Sequence, residues 1–101
     1  MNNNYQLSGR IHTTGWNPSF DVNSTNDYGM TPTEVAMQAG NLSEFVEITS
    51  HPDFKLANMG RVGLFMNICR TNSESNYTKM KKFFDANFKF DTSARAYVRL
   101  A

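Results

Sequence analysis

The stretch GMTPTEVAMQAGNLSEFVEITSHP, residues 29–52, carries the start and stop signals of two short helices separated by a tight break. Thr31 is a favourable N-cap, and Pro32 suits the first helical position, where its missing N–H leaves no helical hydrogen bond unmade. We therefore predict a helix from Pro32 to about Ala39. Gly40-Asn41 should end it, because both residue types tolerate the left-handed backbone conformation that closes helices.

A second helix is predicted to follow at once, from Leu42 to about Ser50, and Pro52 should stop it. Residues suited to burial recur in this helix at the i, i+3, i+4, i+7 spacing of one helix face. The members of that face are Leu42, Phe45, Val46 and Thr49. The stretch thus predicts a pair of short antiparallel helices.

A triplet of phenylalanine, a charged residue and an apolar residue occurs at 20–22, 54–56 and 88–90, with 34 residues between successive copies. Pro18 and Pro52, each two positions ahead of a copy, have the same spacing. A constant interval over most of the chain predicts a repeating supersecondary unit.

The second copy of the unit shows the same order of elements. Residues 64–69 form an apolar run of helical length, 71–76 are polar and predict a loop, and 77–84 are amphipathic. In this last segment the apolar side consists of Tyr77, Met80, Phe83 and Phe84, and the opposite side carries Lys79 and Lys82.

The motifs of these units resemble those of the ankyrin-repeat family. Asp21-Val22-Asn23 is similar to the D-V-N that closes an ankyrin repeat, and Gly29-x-Thr31-Pro32 to the family's G-x-T-P. Ala36 matches the alanine that follows, and Gly40-Asn41 matches the break between the two helices. Residues 85–91 resemble the next closing segment.

The resemblance implies a mainly all-α fold, an ankyrin-like stack of helix-loop-helix repeats with projecting hairpin tips. It divides a single domain, 1–101, into an N-terminal cap or irregular segment (1–19), repeat 1 (20–53), repeat 2 (54–87) and a C-terminal cap (88–101). Thr33 and Glu34 depart from the family's leucine and histidine. The alternative is a nonrepetitive helical bundle in which the phenylalanines are evenly spaced by chance.

Two details depend on this register. The second hairpin can be aligned on Gly60 or on Gly63; we favour Gly60, and the choice stays open at the level of sequence. Repeat stacks need caps over their end units. We expect a C-terminal capping helix containing Tyr97, Val98 and Leu100, and N-terminal packing by Tyr5, Leu7, Ile11 and Trp16.

Composition limits the possible classes of protein. The chain has 101 residues, a net charge of +1, 19% charged and 40% hydrophobic residues, which is typical of one globular domain and gives no general attraction to polyanions. Cys69 is the single cysteine, so an intramolecular disulfide is excluded and a reducing, cytoplasmic setting is expected, in a bacterium or a host cell. No signal-peptide pattern and no apolar run of about 18 residues is present, so no membrane partner is expected.

The sequence predicts neither an enzyme nor a cofactor or metal protein. Cys69 could act as a nucleophile with His12 or His51, but it lies in an apolar run, where burial raises the pKa of a thiol and lowers its reactivity. The two histidines have no neighbouring ligands that would complete a zinc site. Catalytic and metal-binding residues are therefore predicted to be absent.

The resemblance implies a non-enzymatic protein-binding module that contacts a target through its hairpin tips and the inner faces of its first helices, for instance a small bacterial or phage inhibitor or effector. A second copy of the chain is a further candidate partner. The positions that match the family's variable contact sites are Thr25, Asp27, Tyr28, Met30 and Gln38, with Met59 and Arg61 from the second tip.

The alternative function is a small nucleic-acid-binding or regulatory protein. A basic and aromatic segment, 79–84, could contact phosphates, and arginines near the C-terminus could extend it. The residues concerned are Lys79, Lys81, Lys82, Arg95 and Arg99. A solvated helix face that keeps the protein soluble explains the same lysines without any ligand, so nucleic acid is the less favoured partner.

Overall fold

The computed structural model describes residues 21–100, which are mainly helical with one small antiparallel sheet. The elements in chain order are α1 (Pro32–Ala39), α2 (Leu42–Thr49), a short 3-10 helix (Leu56–Met59), α3 (Val62–Asn72), α4 (Glu74–Asn87), β1 (Phe88–Asp91) and β2 (Ala96–Arg99). The predicted helical class is confirmed. The predicted N-terminal cap, His12 and the first repeated phenylalanine, Phe20, lie outside the described residues.

The first helix pair forms where the sequence predicts it. The Thr31 hydroxyl accepts a hydrogen bond from the Glu34 backbone N–H (3.3 Å), and the Glu34 carboxylate accepts one from the Thr31 N–H (3.0 Å), which completes a capping box. Gly40 ends α1 with a φ of 67°. The Asn41 side chain then caps α2 by accepting from the Glu44 N–H at 3.1 Å.

The buried face of α2 is rotated relative to the prediction. Phe45 and Thr49 are buried, but Val46 is exposed and Ile48 takes its place in the core. α2 packs against both α1 and α4, and the side of the helix that is buried there carries Ile48, whereas Val46 is exposed.

The second pair is longer than predicted and has almost no loop. Most of the polar segment 71–76 is helical, and Ser73 alone separates α3 from α4. Ser73 has an extended backbone, and its hydroxyl accepts from the Asn76 N–H at 3.2 Å, so one residue ends α3 and caps α4. Gly60 precedes α3 with a φ of -69°, unlike Gly29, and Gly63 lies within α3, so the choice between the two registers stays a prediction.

The helices share one core in which α1 packs chiefly on α3. Its centre is aromatic: the Phe45 ring lies 6.0 Å from Phe83, 6.3 Å from Phe84 and 6.2 Å from Phe88, mostly edge to face. Such pairs add stability beyond the area that they bury. The remaining buried apolar residues are Val22, Ala36, Met37, Ile48, Met59, Val62, Phe65, Met66, Cys69 and Met80.

Asn23 joins the loop before α1 to the loop before α3. Its side-chain N–H donates to the Asp53 carbonyl at 2.8 Å, and its side-chain oxygen accepts from the Lys55 N–H at 3.2 Å and from the Asn58 side chain. The two connecting segments are therefore side by side. The second of them is a 3-10 helix, Leu56–Met59, where a hairpin tip was predicted.

The prediction of a C-terminal capping helix was wrong. Residues 88–99 form a hairpin in which Phe88 pairs with Arg99 and Phe90 with Tyr97. Phe88 points into the core, while the Arg99 guanidinium lies 4.8 Å from its ring centre and donates to the Thr49 carbonyl at 2.6 Å. Cross-strand pairing of aromatic residues favours the strand over the helix here.

Candidate interaction surface

A stiff turn precedes α1 and projects a tyrosine. The Asn26 carbonyl accepts from the Gly29 N–H (2.9 Å), and the Asn26 side-chain oxygen accepts from the N–H groups of Tyr28 (2.9 Å) and Met30 (3.0 Å). A further hydrogen bond joins the Asn26 N–H to the Met30 carbonyl. Gly29 has a φ of 75°, a conformation that glycine adopts without steric cost. We call residues 26–30 the first tip.

The side chains predicted to bind a partner are largely outside the core at this tip. Tyr28 is 84% exposed, the most exposed large hydrophobic residue of the described chain. Thr25 and Asp27 are exposed as well, whereas Met30 is half-buried and packs on the core. Gln38, two turns into α1, is half-buried.

Arg61 fastens the first tip to the second helix pair. Its guanidinium donates two hydrogen bonds of 2.7 Å to the Glu34 carboxylate and one of 3.1 Å to the Gly29 carbonyl. It also lies 5.2 Å from the centre of the Phe65 ring. The hydrogen bonds to Glu34, reinforced by its negative charge, raise the pKa of Arg61 above its ordinary value. Arg61 is thus a structural clamp at the position where sequence predicted a contact residue.

Met59, the other predicted contact residue of the second segment, does not lie on the surface, and this prediction is wrong. Met59 is 1% exposed, because the 3-10 helix turns its side chain into the core. A side chain in that position supports the fold and presents nothing to a partner.

The structure adds Leu64 to the surface, a residue that sequence reasoning assigned to an apolar helical run. It is 53% exposed on α3. Arg61, Leu64 and Ile68 follow one another at i, i+3, i+7, so they form a stripe that starts at the clamp beside the first tip and ends at Ile68, which is half-buried against the core. Knowing which side of α3 packs on α1 was necessary to find Leu64, and sequence periodicity alone does not give it.

The basic residues of the alternative function do not form one patch. Lys79 and Lys82 are exposed on one side of α4, while Lys81 lies on another side and pairs with Asp85 at 2.7 Å. That hydrogen bond and charge raise the pKa of Lys81. Arg99 packs on Phe88, as described above, and the last of the set, Arg95, lies in the hairpin turn with a φ of 54°.

Groups with chemical reactivity are few in the described residues. Cys69 is buried, as its apolar surroundings predicted, and burial raises the pKa of its thiol. The His51 Nδ1 accepts a hydrogen bond from the Asp53 N–H at 3.0 Å. Within residues 21–100 no three potential metal ligands cluster, and no helix has the length and apolar character needed to cross a membrane.

No family model, curated protein or solved structure shows a significant match to the chain.

Proposed function

We propose that this protein is a non-enzymatic interaction module with an ankyrin-like arrangement, and that it binds a target protein through the first tip and the adjoining stripe of α3. The tip contributes Tyr28 and Asp27, and the stripe contributes Leu64. Gln38 on α1 extends the surface along the first helix. The clamp of Arg61 on Glu34 keeps these parts in a fixed relation.

The arrangement of elements supports the ankyrin-like interpretation. Two helix pairs follow one another, and the connecting segments ahead of α1 and α3 touch through Asn23, as tips of successive repeats would. The 3-10 helix in turn packs against β2, which follows the third copy of the phenylalanine triplet. The contacts thus run from the first connecting segment to the second and from the second to the hairpin.

One observation carries the proposal: Tyr28 is almost fully exposed, and the turn that presents it is fixed both by hydrogen bonds within the turn and by a hydrogen bond from Arg61. Asn26 fixes the turn by its own side chain, and Arg61 holds the carbonyl of Gly29. Burying a large apolar ring on binding is favourable, and a turn that is already ordered loses little entropy when it docks. Tyrosine is accordingly enriched among the residues that dominate interface energies.

The surface is small for a whole interface. A standard interface buries about 800 Å² on each partner and uses about 20 to 30 residues. The first tip and the stripe supply fewer than that, so we expect a modest affinity or a contribution from other segments of the chain. The proposed partner is another protein or a second copy of the chain. The proposed role is that of an inhibitor or effector of the protein that is bound.

The test is a capture experiment with matched variants. Tyr28→Ala and Leu64→Ser should each reduce capture of the target protein, and measured affinity should fall about tenfold or more for Tyr28→Ala. Phe90→Ala is the matched control, since Phe90 is also an exposed aromatic residue (52%) but lies on the hairpin. Retained capture by both surface variants, or loss of capture with Phe90→Ala alone, would place the binding surface elsewhere.

The alternative, nucleic-acid binding, depends on exposed cations of α4. Lys79 and Lys82 are exposed one turn apart, which is the observation in its favour. Titration with single- and double-stranded DNA and RNA at low salt should then give an affinity that decreases steeply with added salt. Absence of binding at low salt excludes this alternative.

A further inference from the structure

A groove lies on the flank of α3 opposite α1, between α3, α4 and the hairpin. Its volume is about 330 Å³, near the lower end of the range for small-molecule sites. Met66 and Phe84 form an apolar floor, and the half-buried rings of Tyr77 and Tyr97 line it. The Tyr97 ring stands edge to face on Phe84 at 5.1 Å, so this wall is fixed by packing.

The positive and negative charges at the rim of the groove do not balance. Lys81 and Asp85 neutralise one another through their 2.7 Å contact. The Arg70 guanidinium donates to the neutral side chain of Asn67 at 2.7 Å and lies 5.9 Å from the centre of the Tyr77 ring. Within the described residues no carboxylate is paired with Arg70, so the groove has one uncompensated positive charge.

The positions of these groups define the ligand. Arg70 and Val62 mark opposite ends of the groove along α3, about 12 Å apart at a rise of about 1.5 Å per residue. Aromatic walls and an apolar floor suit a flat apolar body, and a guanidinium suits a carboxylate, with which it can form two parallel hydrogen bonds. The volume suits a body of one or two fused rings.

We infer that this groove binds a small aromatic carboxylate, with the ring between Tyr77 and Tyr97 and the carboxylate at Arg70. The site is separate from the first tip and the stripe of α3, so it does not depend on the proposed protein partner. It would make the protein responsive to a small organic acid.

The chain offers a direct means of blocking the groove. A Cβ added at Gly63 meets no atom within 4 Å, because the residue borders the open space of the groove. Gly63→Leu should obstruct the groove, whereas Gly63→Ala should leave most of it open. Both replacements are better helix formers than glycine, so both variants should fold.

The experiment uses 2-naphthoate as the probe and follows the methionine methyl signals of the full chain by NMR. We expect saturable shifts of the Met66 methyl, weaker binding by about tenfold or more in Arg70→Gln, and loss of binding in Gly63→Leu. Gly63→Ala, Arg95→Gln and Tyr28→Ala should retain binding. Arg95→Gln controls for removal of an arginine outside the groove, and Tyr28→Ala separates this site from the proposed protein-binding surface.

Four results would overturn the inference. The first is the absence of saturable shifts up to the solubility limit of the probe, and the second is equal binding of the neutral 2-naphthamide. The third is tighter binding of a tripeptide ending in phenylalanine than of 2-naphthoate, since the occupant would then be the carboxyl end of a protein. Unchanged binding by Gly63→Leu would likewise show that the probe binds elsewhere.

Discussion

The guanidinium of Arg61 donates two hydrogen bonds of 2.7 Å to the carboxylate of Glu34, which lies 27 residues earlier in the chain. The Glu34 side chain is nearly buried, and the same carboxylate caps α1 through Thr31. One acidic side chain thus joins the start of the first helix pair to the start of the second.

Replacement of Arg61 should therefore destabilise the fold, because it leaves the nearly buried carboxylate of Glu34 without its positively charged partner. Arg61→Ala should lower the urea midpoint of unfolding, and Arg61→Lys should lower it less, because lysine keeps the charge but cannot form the two parallel hydrogen bonds. In a Glu34→Gln background, where the capping hydrogen bond can persist without a buried charge, Arg61→Ala should cost less. Equal losses in both backgrounds would mean that the pair contributes nothing beyond its separate side chains.

Two glycines with left-handed backbones should respond differently to alanine. Gly29 (φ 75°) has open space around it, while a Cβ at Gly40 (φ 67°) would collide with the Asn76 Cβ and stand 3.1 Å from the Cys69 sulfur. Gly29→Ala should cost about 1–2 kcal/mol for the backbone conformation alone. Gly40→Ala should cost about 1–3 kcal/mol more, because the two helix pairs must separate to admit the methyl group. Equal free energies of unfolding for the two variants would contradict the close approach of the α1–α2 break to α3 and α4 at Gly40.

The sequence predicted the first helix pair because its signals are local. Thr31, Pro32, Gly40 and Asn41 each act on backbone groups within four residues, so no knowledge of the fold was needed. The prediction of a loop over 71–76 was wrong because exposed polar residues are compatible with both a loop and a helix surface. Only the cap at Ser73 distinguishes the two possibilities in this segment.

The hairpin and the surface depend on distant contacts and were harder to predict. Residues 96–99 become a strand because 88–91 is beside them, a partner that the capping-helix prediction did not consider. The exposure of Tyr28 follows from the local turn and was predicted. The burial of Met59 depends on how the 3-10 helix packs on the core, and the exposure of Leu64 depends on how α3 is placed against α1.

At Thr33, a methyl group in place of the hydroxyl should preserve or increase the stability of the fold. Thr33 is fully buried, and its hydroxyl has no hydrogen-bond partner among the described residues. Thr33→Val should be neutral or stabilising by about 1 kcal/mol, since an unpaired buried polar group is removed at nearly constant shape. Thr49→Val is the matched control: its buried hydroxyl donates to the Phe45 carbonyl at 2.9 Å, so the change should cost about 1 kcal/mol. Chemical denaturation of both variants would test this, and a loss of stability in Thr33→Val as large as in Thr49→Val would show that the hydroxyl is paired in solution.

Cys69 should make stability decrease at alkaline pH. Burial raises the pKa of its thiol, so the folded protein keeps a proton that the unfolded chain releases near about pH 8.5. The unfolded state then binds fewer protons, and the free energy of unfolding falls with pH at a slope of at most about 1.4 kcal/mol per pH unit. This contribution is fully present below the unfolded pKa and is lost as pH rises towards the raised pKa of the folded state. Cys69→Ala lacks the titrating group but shares every other one, so the stability difference between wild type and variant should shrink from about pH 8 upwards. A difference that stays constant through that window, or rapid modification of the native thiol by a disulfide reagent, would show that Cys69 is accessible to water in the folded protein.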